Sequence, residues 1–385
     1  MDQERRLLLS ADAALACVGL YVGAIGPSMS TFAREADVSL DTAGLLLTAL
    51  ALGSVMASGA VTLRLHRYSQ RRIAAAGMAA MAVAMLGFAL LDRWPALLAA
   101  ALLVGAAGGF ADAGTHGIAA RATRPAIAVS RLNVAFALGA IVGPAWAGAT
   151  IQFLDARWLV FSGISVVIAL VAIALATAPE PLRPPNEQPP QLQFGRVPVM
   201  ALAMGGLLFL YVGAEIGLGA WTTAFTRRAA DASLMAAALV TSGYWAALFL
   251  GRVANGLLIE RGWDPSRILI ASILGAGAGS LVLVAGGQLL AVGATGALIA
   301  GFCFGPVWPC AMAVALRSGN QSTPAMLVTI GNGGGIVLPW LQGRILVDGG
   351  TRAGTGMSAV LCAGMLVVAV LARRRPASRS AAAVQ

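Results

Sequence analysis

Residues 139–148 read "GAIVGPAWAG" and residues 334–343 read "GGIVLPWLQG". A proline sits inside each apolar run, Pro144 and Pro339, with a glycine four places on, Gly148 and Gly343. The likeness extends outward from this pair. "LYVGAIG" at 20–26 returns as "LYVGAEIG" at 210–217, and Gly105, Gly109 and Arg121 fall on Gly301, Gly305 and Arg317. The spacing runs from 190 (Leu20 to Leu210) to 196 (Gly105 to Gly301), about half the chain. A repeat of that length, made of apolar segments, reads as two copies of one helical unit related by an axis along the membrane normal.

Composition agrees with a lipid setting. Of 385 residues, 58% are hydrophobic and 11% charged, against about 25% charged in a soluble domain. Every basic side chain is Arg and the net charge is +10. The Arg residues cluster in short loops rather than along one face, which is a topology signal and not a nucleic-acid stripe. Cys17, Cys303, Cys310 and Cys362 all lie in apolar segments without metal-type spacing, as small buried hydrophobes do. The apolar N-terminal stretch shares the repeat, so it belongs to the mature fold rather than to a signal peptide.

Apolar runs near the ~20 residues that a bilayer requires fall at 11–32, 42–63, 73–91, 96–120, 127–153, 158–178, 198–226, 234–258, 268–285, 288–316, 323–346 and 353–371. The fold class is an all-α polytopic membrane protein of twelve transmembrane helices in two pseudo-symmetric six-helix halves. Residues 1–178 form the first half and 198–371 the second. The Pro-rich 179–197 is a cytoplasmic linker, and 372–385 a cytoplasmic tail. Arg5, Arg6, Arg64, Arg67, Arg71, Arg72, Arg121, Arg124, Arg131, Arg183, Arg196, Arg261, Arg267, Arg317, Arg373, Arg374, Arg375 and Arg379 lie toward one side. The other side holds only Arg34, Arg93, Arg157, Arg227, Arg228 and Arg352. This asymmetry puts both termini in the cytoplasm of a cell with an inner membrane.

With those motifs in place, the chain resembles the major facilitator superfamily over nearly its whole length. "GLLIERGWDPSR" is similar to the family's Gly-x-x-x-Asp-Arg gating loop, with Glu260 and Arg261 in its acid and base positions. The matching loop "TLRLHRYSQRR" carries Arg67, Arg71 and Arg72, with Thr62 for the glycine and His66 for the acid. Within the superfamily, "GAAGGFADAGTHGIAAR", "RLNVAFALGAIVGP", "GFCFGPVWP" and "GGGIVLPW" look like the fucose permease branch of sugar:proton symporters. That branch also has an Asp in its first span, where this chain reads "YVGAIGPSMSTF". The resemblance implies a proton-coupled symporter without a cofactor.

Charges inside spans mark transport routes or proton relays by default. Asp112 and Asn133 each lie nine residues from a loop Arg, Arg121 and Arg124, which places both about 13 Å above the cytoplasmic loop. A carboxylate in a low-dielectric setting can exchange a proton near neutral pH. His116 lies one turn beyond Asp112, so Asp112 and His116 are candidates for proton coupling, and Glu215 in the seventh span is a third. The structural alternatives are a hydrogen bond across the bundle for Asp112, a bond to a backbone carbonyl for His116 and an ion pair for Glu215. Candidates for substrate contact are Asn133, Glu215, Trp308, Asn332 and Gln342. Trp308 occupies the repeat position of Asp112 and offers a stacking face, though Trp also favours membrane interfaces. Arg252, near a span end, reads as a snorkelling side chain.

No phosphate loop, zinc box or nucleophile elbow occurs, so the chain reads as neither an enzyme nor an ATP-driven pump. The expected partners are a small-molecule substrate, protons and the lipid bilayer, with no nucleic acid and a monomeric state. The leading expectation is a proton-coupled secondary transporter of a small polar organic solute, sugars included. Efflux of drugs or hydrophobic metabolites is the alternative. It draws on the partial Gly-x-x-x-Gly-Pro-x-x-x-Gly pattern at 139–148, which resembles the fifth-span motif of drug antiporters but has Ser130 in place of an upstream Gly. A non-transporting membrane sensor is the third reading.

Overall fold

The computed structural model describes residues 2–63, 68–179, 199–286, 288–317 and 323–374. Every regular element among them is helical: α1 Asp2–Glu35, α2 Leu40–Ala43, α3 Leu45–Leu63, α4 Gln70–Leu90, α5 Trp94–Ala120, α6 Pro125–Leu154, α7 Arg157–Thr177, α8 Val199–Ala230, α9 Leu234–Glu260, α10 Pro265–Gly286, α11 Leu290–Phe304, α12 Val307–Leu316 and α13 Thr323–Arg374. Among the described residues, eleven helices are long and apolar enough to cross a membrane. The last, Met326–Arg373, has 48 residues, about 72 Å of helix against a ~30 Å hydrocarbon core. It is two spans. Gly350, at φ 78° and ψ 179°, makes the break between them, and only Gly holds that conformation freely. Residues 180–197 of the linker, 375–385 of the tail, and Arg67 lie outside the described residues.

The repeat seen in sequence is a repeat of contacts. A Cβ on Gly139 of α6 would stand 1.9 Å from the Ala16 carbonyl oxygen of α1, and one on Gly334 of α13 1.8 Å from that of Phe209 in α8. Gly105 of α5 meets the Leu50 carbonyl of α3 in the same way, and Gly301 of α11 meets that of Tyr244 in α9. Small residues let helix backbones approach this closely where no hydrophobic force drives them together. The turns repeat as well. Asp37, Asp155, Asp231 and Gly350 take positive φ, with Asp37 spaced from Asp231 much as Asp155 is from Gly350. Asp and Gly are residue types that tolerate the left-handed conformation at a helix end.

Helix ends depart from the hydropathy reading in one place. α1 begins at Asp2 rather than near residue 11. Its polar first turns are tied to neighbours: Glu4 accepts from the Thr123 backbone and hydroxyl at 2.6 and 2.7 Å, and Arg131 donates to Asp12. The helix therefore continues beyond the apolar run. Arg157, read as an outer-loop cation, is instead nearly buried, with a side chain 7% exposed. It pairs with Glu35, donates to the Phe88 and Leu91 carbonyls, and lies 5.1 Å from the Phe32 ring centroid. An Arg can be this buried because its planar fork of donors is satisfied on several sides at once.

Contacts between the first six spans and the last six gather toward the end where Glu35 lies, opposite the N-terminus. Arg344 pairs with buried Asp41 at 2.8 Å, and Thr48 donates to the Ile336 carbonyl at 2.6 Å. The Met235 amide donates to Gln152 at 2.7 Å. Gln152 thereby caps the start of α9 from the first half.

Candidate functional site

Asp112 lies in α5 with its side chain 48% exposed. Its direction can be read from its neighbours on the helix. Gly108, one turn earlier, faces the Tyr21 hydroxyl of α1, and Gly105 and Gly109 face Leu50 and Ser54 of α3. Position 112 thus falls between the directions of α1 and α3. Leu103, 59% exposed, precedes it by nine residues, or two and a half turns at ~3.6 residues each, so the apolar outer face of α5 is on the other side. The carboxylate is open to the bundle interior rather than to lipid.

His116 follows at one turn. Its Nδ1 is 3.4 Å from the Asp112 carboxylate and 3.0 Å from the Asp112 carbonyl. Thr115 donates to the carbonyls of Ala111 and Asp112, both at 2.9 Å. The acid and the imidazole form one group, as their spacing implied. Asn133 does not join it: its amide donates to the Val129 carbonyl of its own helix at 3.0 Å.

In the second half, Glu215 of α8 is buried, with its side chain 9% exposed, and its Oε1 lies 3.0 Å from Nη2 of Arg252 in α9. Tyr244 donates to the Glu215 carbonyl at 2.9 Å. The Tyr211 hydroxyl faces the same carboxylate and guanidinium without a hydrogen bond of good geometry. Around Tyr211 stand Phe304 and Trp308, with ring centroids at 5.8 and 6.3 Å. Trp308 in turn sits against Gly331 of α13, beside Asn332. Asn332 is half-buried and has no hydrogen-bond partner among the described residues. Tyr211 thus stands between Glu215 and Trp308, while Asn332 is next to this group only along the chain. Gln342 is apart from it: its amide donates to the Gly354 carbonyl at 3.0 Å and the Ser358 hydroxyl at 2.9 Å, joining the two spans of α13.

Arg252 was missed as a member of this group. It does not snorkel outward, because its position in α9 turns away from the exposed Leu250 and Leu257 and its partner is 37 residues earlier in sequence. An intramembrane acid needs a counter-ion, which was the available signal.

At the loops, Arg71 donates to the Leu175 and Ala176 carbonyls at the end of α7. The Arg72 amide is capped by Ser69 at 3.2 Å. Glu260 and Arg261 are exposed. The acid that bridges the second loop is Asp264, 2.8 Å from Arg317. The hydrogen bond from Arg317 holds the Asp264 carboxyl below the usual carboxylate range, with smaller help from the Arg267 amide.

The fold has relatives of known structure. A bacterial homologue of the human lysosomal transporter Spinster, in an inward-facing and occupied conformation, superposes with a TM-score of 0.78 at 17% identity, covering 97% of each chain. A mutant of the nucleoside transporter NupG superposes at 0.74 and 14% identity, covering 96% of this chain and 99% of its own. At such identities the likeness is one of fold. Among curated protein sequences none matches this chain. The family model of the Major Facilitator Superfamily matches residues 12–323, and the chain belongs to that superfamily.

Proposed function

We propose that this chain is a proton-coupled secondary transporter of a small polar organic solute, working by alternating access. The observation that carries the reading is Asp112, a carboxylate within a span, half exposed toward the bundle interior and backed by His116. Protonated, the acid is neutral and the empty pathway can close around it. Ionised, it needs water and favours an open state. That differential ties a proton to the conformational equilibrium. The two six-helix halves, 1–178 and 198–371, are the moving bodies, and the contacts of Asp41 with Arg344 and Thr48 with Ile336 close the pathway at one face. With the Arg-rich side inward, both termini and the 179–197 linker are cytoplasmic, the protein is monomeric in an inner membrane, and the closed face is the outer one. Sugars, from the likeness to the fucose permease branch, and nucleosides are the first solutes to test.

Purified protein should melt at a higher temperature with one of these polar solutes. A ligand at a hundred times its Kd stabilises by about 2.7 kcal/mol, an effect readily seen. If amphipathic cations alone raised the melting temperature, efflux of hydrophobic compounds would replace this reading.

A further inference from the structure

The Glu215–Arg252 pair does more than neutralise itself. Glu215 takes a single contact from Arg252, through Nη2, and a guanidinium carries five N–H donors suited to gripping a carboxylate with two. The two partners are unequally covered: Arg252 is 30% exposed while Glu215 is 9% exposed. That opening is on the side of α9 away from its exposed apolar residues Leu250 and Leu257. The second observation is the Tyr211 hydroxyl, wholly buried beside both charges with no hydrogen bond of good geometry to either. A buried phenol poorly aligned with the charges it faces has capacity for a further polar partner. Trp308 closes the neighbourhood with an aromatic face 6.3 Å from Tyr211.

We infer that Arg252, with Tyr211 and Trp308, binds the carboxylate of a small organic anion, and that Glu215 is the internal anion it displaces. This rests on the transport reading and names its substrate class. With Glu215 ionised, Arg252 is already neutralised and a second carboxylate is repelled. When Glu215 takes a proton, its hold on Arg252 weakens and the substrate anion forms the ion pair instead. Release reverses both steps, returning the proton from Glu215 as Arg252 pairs with it again. Binding therefore takes up one proton, separate from that of Asp112. The other titratable groups near Glu215 are Tyr211 on its own helix and Tyr244 on α9, with Cys362 of α13 beyond Tyr244. All are neutral at physiological pH, which leaves Glu215 to carry the change.

The test is calorimetric binding to the purified full chain, using acetate, lactate and benzoate beside the neutral amides of the same acids. At least one acid should bind where its amide does not, and its affinity should fall about tenfold per pH unit on the alkaline side. Glu215→Gln should bind that acid with little dependence on pH. Arg252→Gln alone would leave a buried carboxylate unpaired and risks misfolding, so the double variant Glu215→Gln, Arg252→Gln is the control. It should fold and bind no acid. Failure of all three acids, or undiminished binding by the double variant, overturns the assignment. Because binding is scored without flux, that failure leaves the role of Asp112 standing. Conversely, a protein that bound the acid but moved no proton would sink the transport reading and spare the site.

Discussion

Asp112→Asn should reduce uptake against a gradient to the level of protein-free vesicles while leaving exchange between equal compartments largely intact. The amide has the shape of the protonated acid and cannot ionise, so the variant is held in one of the two states that the proton distinguishes. Exchange needs only the solute-bound carrier to reorient, and that step uses the neutral form. The substitution should fold. Asp112 is 48% exposed, and partly exposed changes usually fall within about 0.5 kcal/mol. His116 keeps the Asp112 carbonyl as a partner at 3.0 Å, so the helix is not expected to rearrange. Vesicles measured with and without an imposed pH difference separate the two outcomes. If the variant still concentrated solute with a normal response to pH, Asp112 would be a structural acid and Glu215 the remaining candidate.

Gly139→Val should abolish the folded protein or lower its melting point severely. A Cβ at this position would stand 1.9 Å from the Ala16 carbonyl oxygen, 2.7 Å from the Leu20 amide nitrogen and 2.8 Å from the Ala16 carbonyl carbon. All three are backbone atoms of α1, so no side chain can turn aside, and the helices must part along their seam. Overpacking costs about 1–3 kcal/mol where side chains can adjust, and here the larger end or beyond is expected. Gly206→Ala is the matched control, because nothing lies within 4 Å of a Cβ there. Melting of both variants in detergent reads the difference. Equal melting would show that α1 and α6 do not meet at Gly139.

The architecture was legible because lipid imposes simple demands. Span length, the Pro144 and Pro339 repeat and the small residues at Gly105, Gly139, Gly301 and Gly334 are all visible in one dimension, and each proved to mark the same kind of contact. The helical extension from Asp2 was not legible, since hydropathy ends where charge begins while hydrogen bonds from Thr123 and Arg131 carry the helix on. Site residues divide on similar grounds. Asp112 and His116 are one turn apart, and local geometry brought them together. The pairing of Glu215 with Arg252 joins two helices whose relative rotation no periodicity specifies. Amides are the hardest to read. Asn133 turns back on its own helix and Gln342 locks onto Ser358, because an amide in a low-dielectric bundle satisfies itself with the nearest carbonyl or hydroxyl. The loop acid shows the same limit: Glu260 fits the motif position, while Asp264 is the residue that reaches Arg317.

Proton coupling by Asp112 can be read in one experiment. Vesicles containing the purified chain and a trapped pH-sensitive dye, with no imposed gradient, are given a solute that raised the melting temperature. Entry of solute should acidify the lumen in the wild type, and Asp112→Asn vesicles should gain one proton fewer for each solute that enters. Solute entry into wild-type vesicles with no movement of protons would contradict the account.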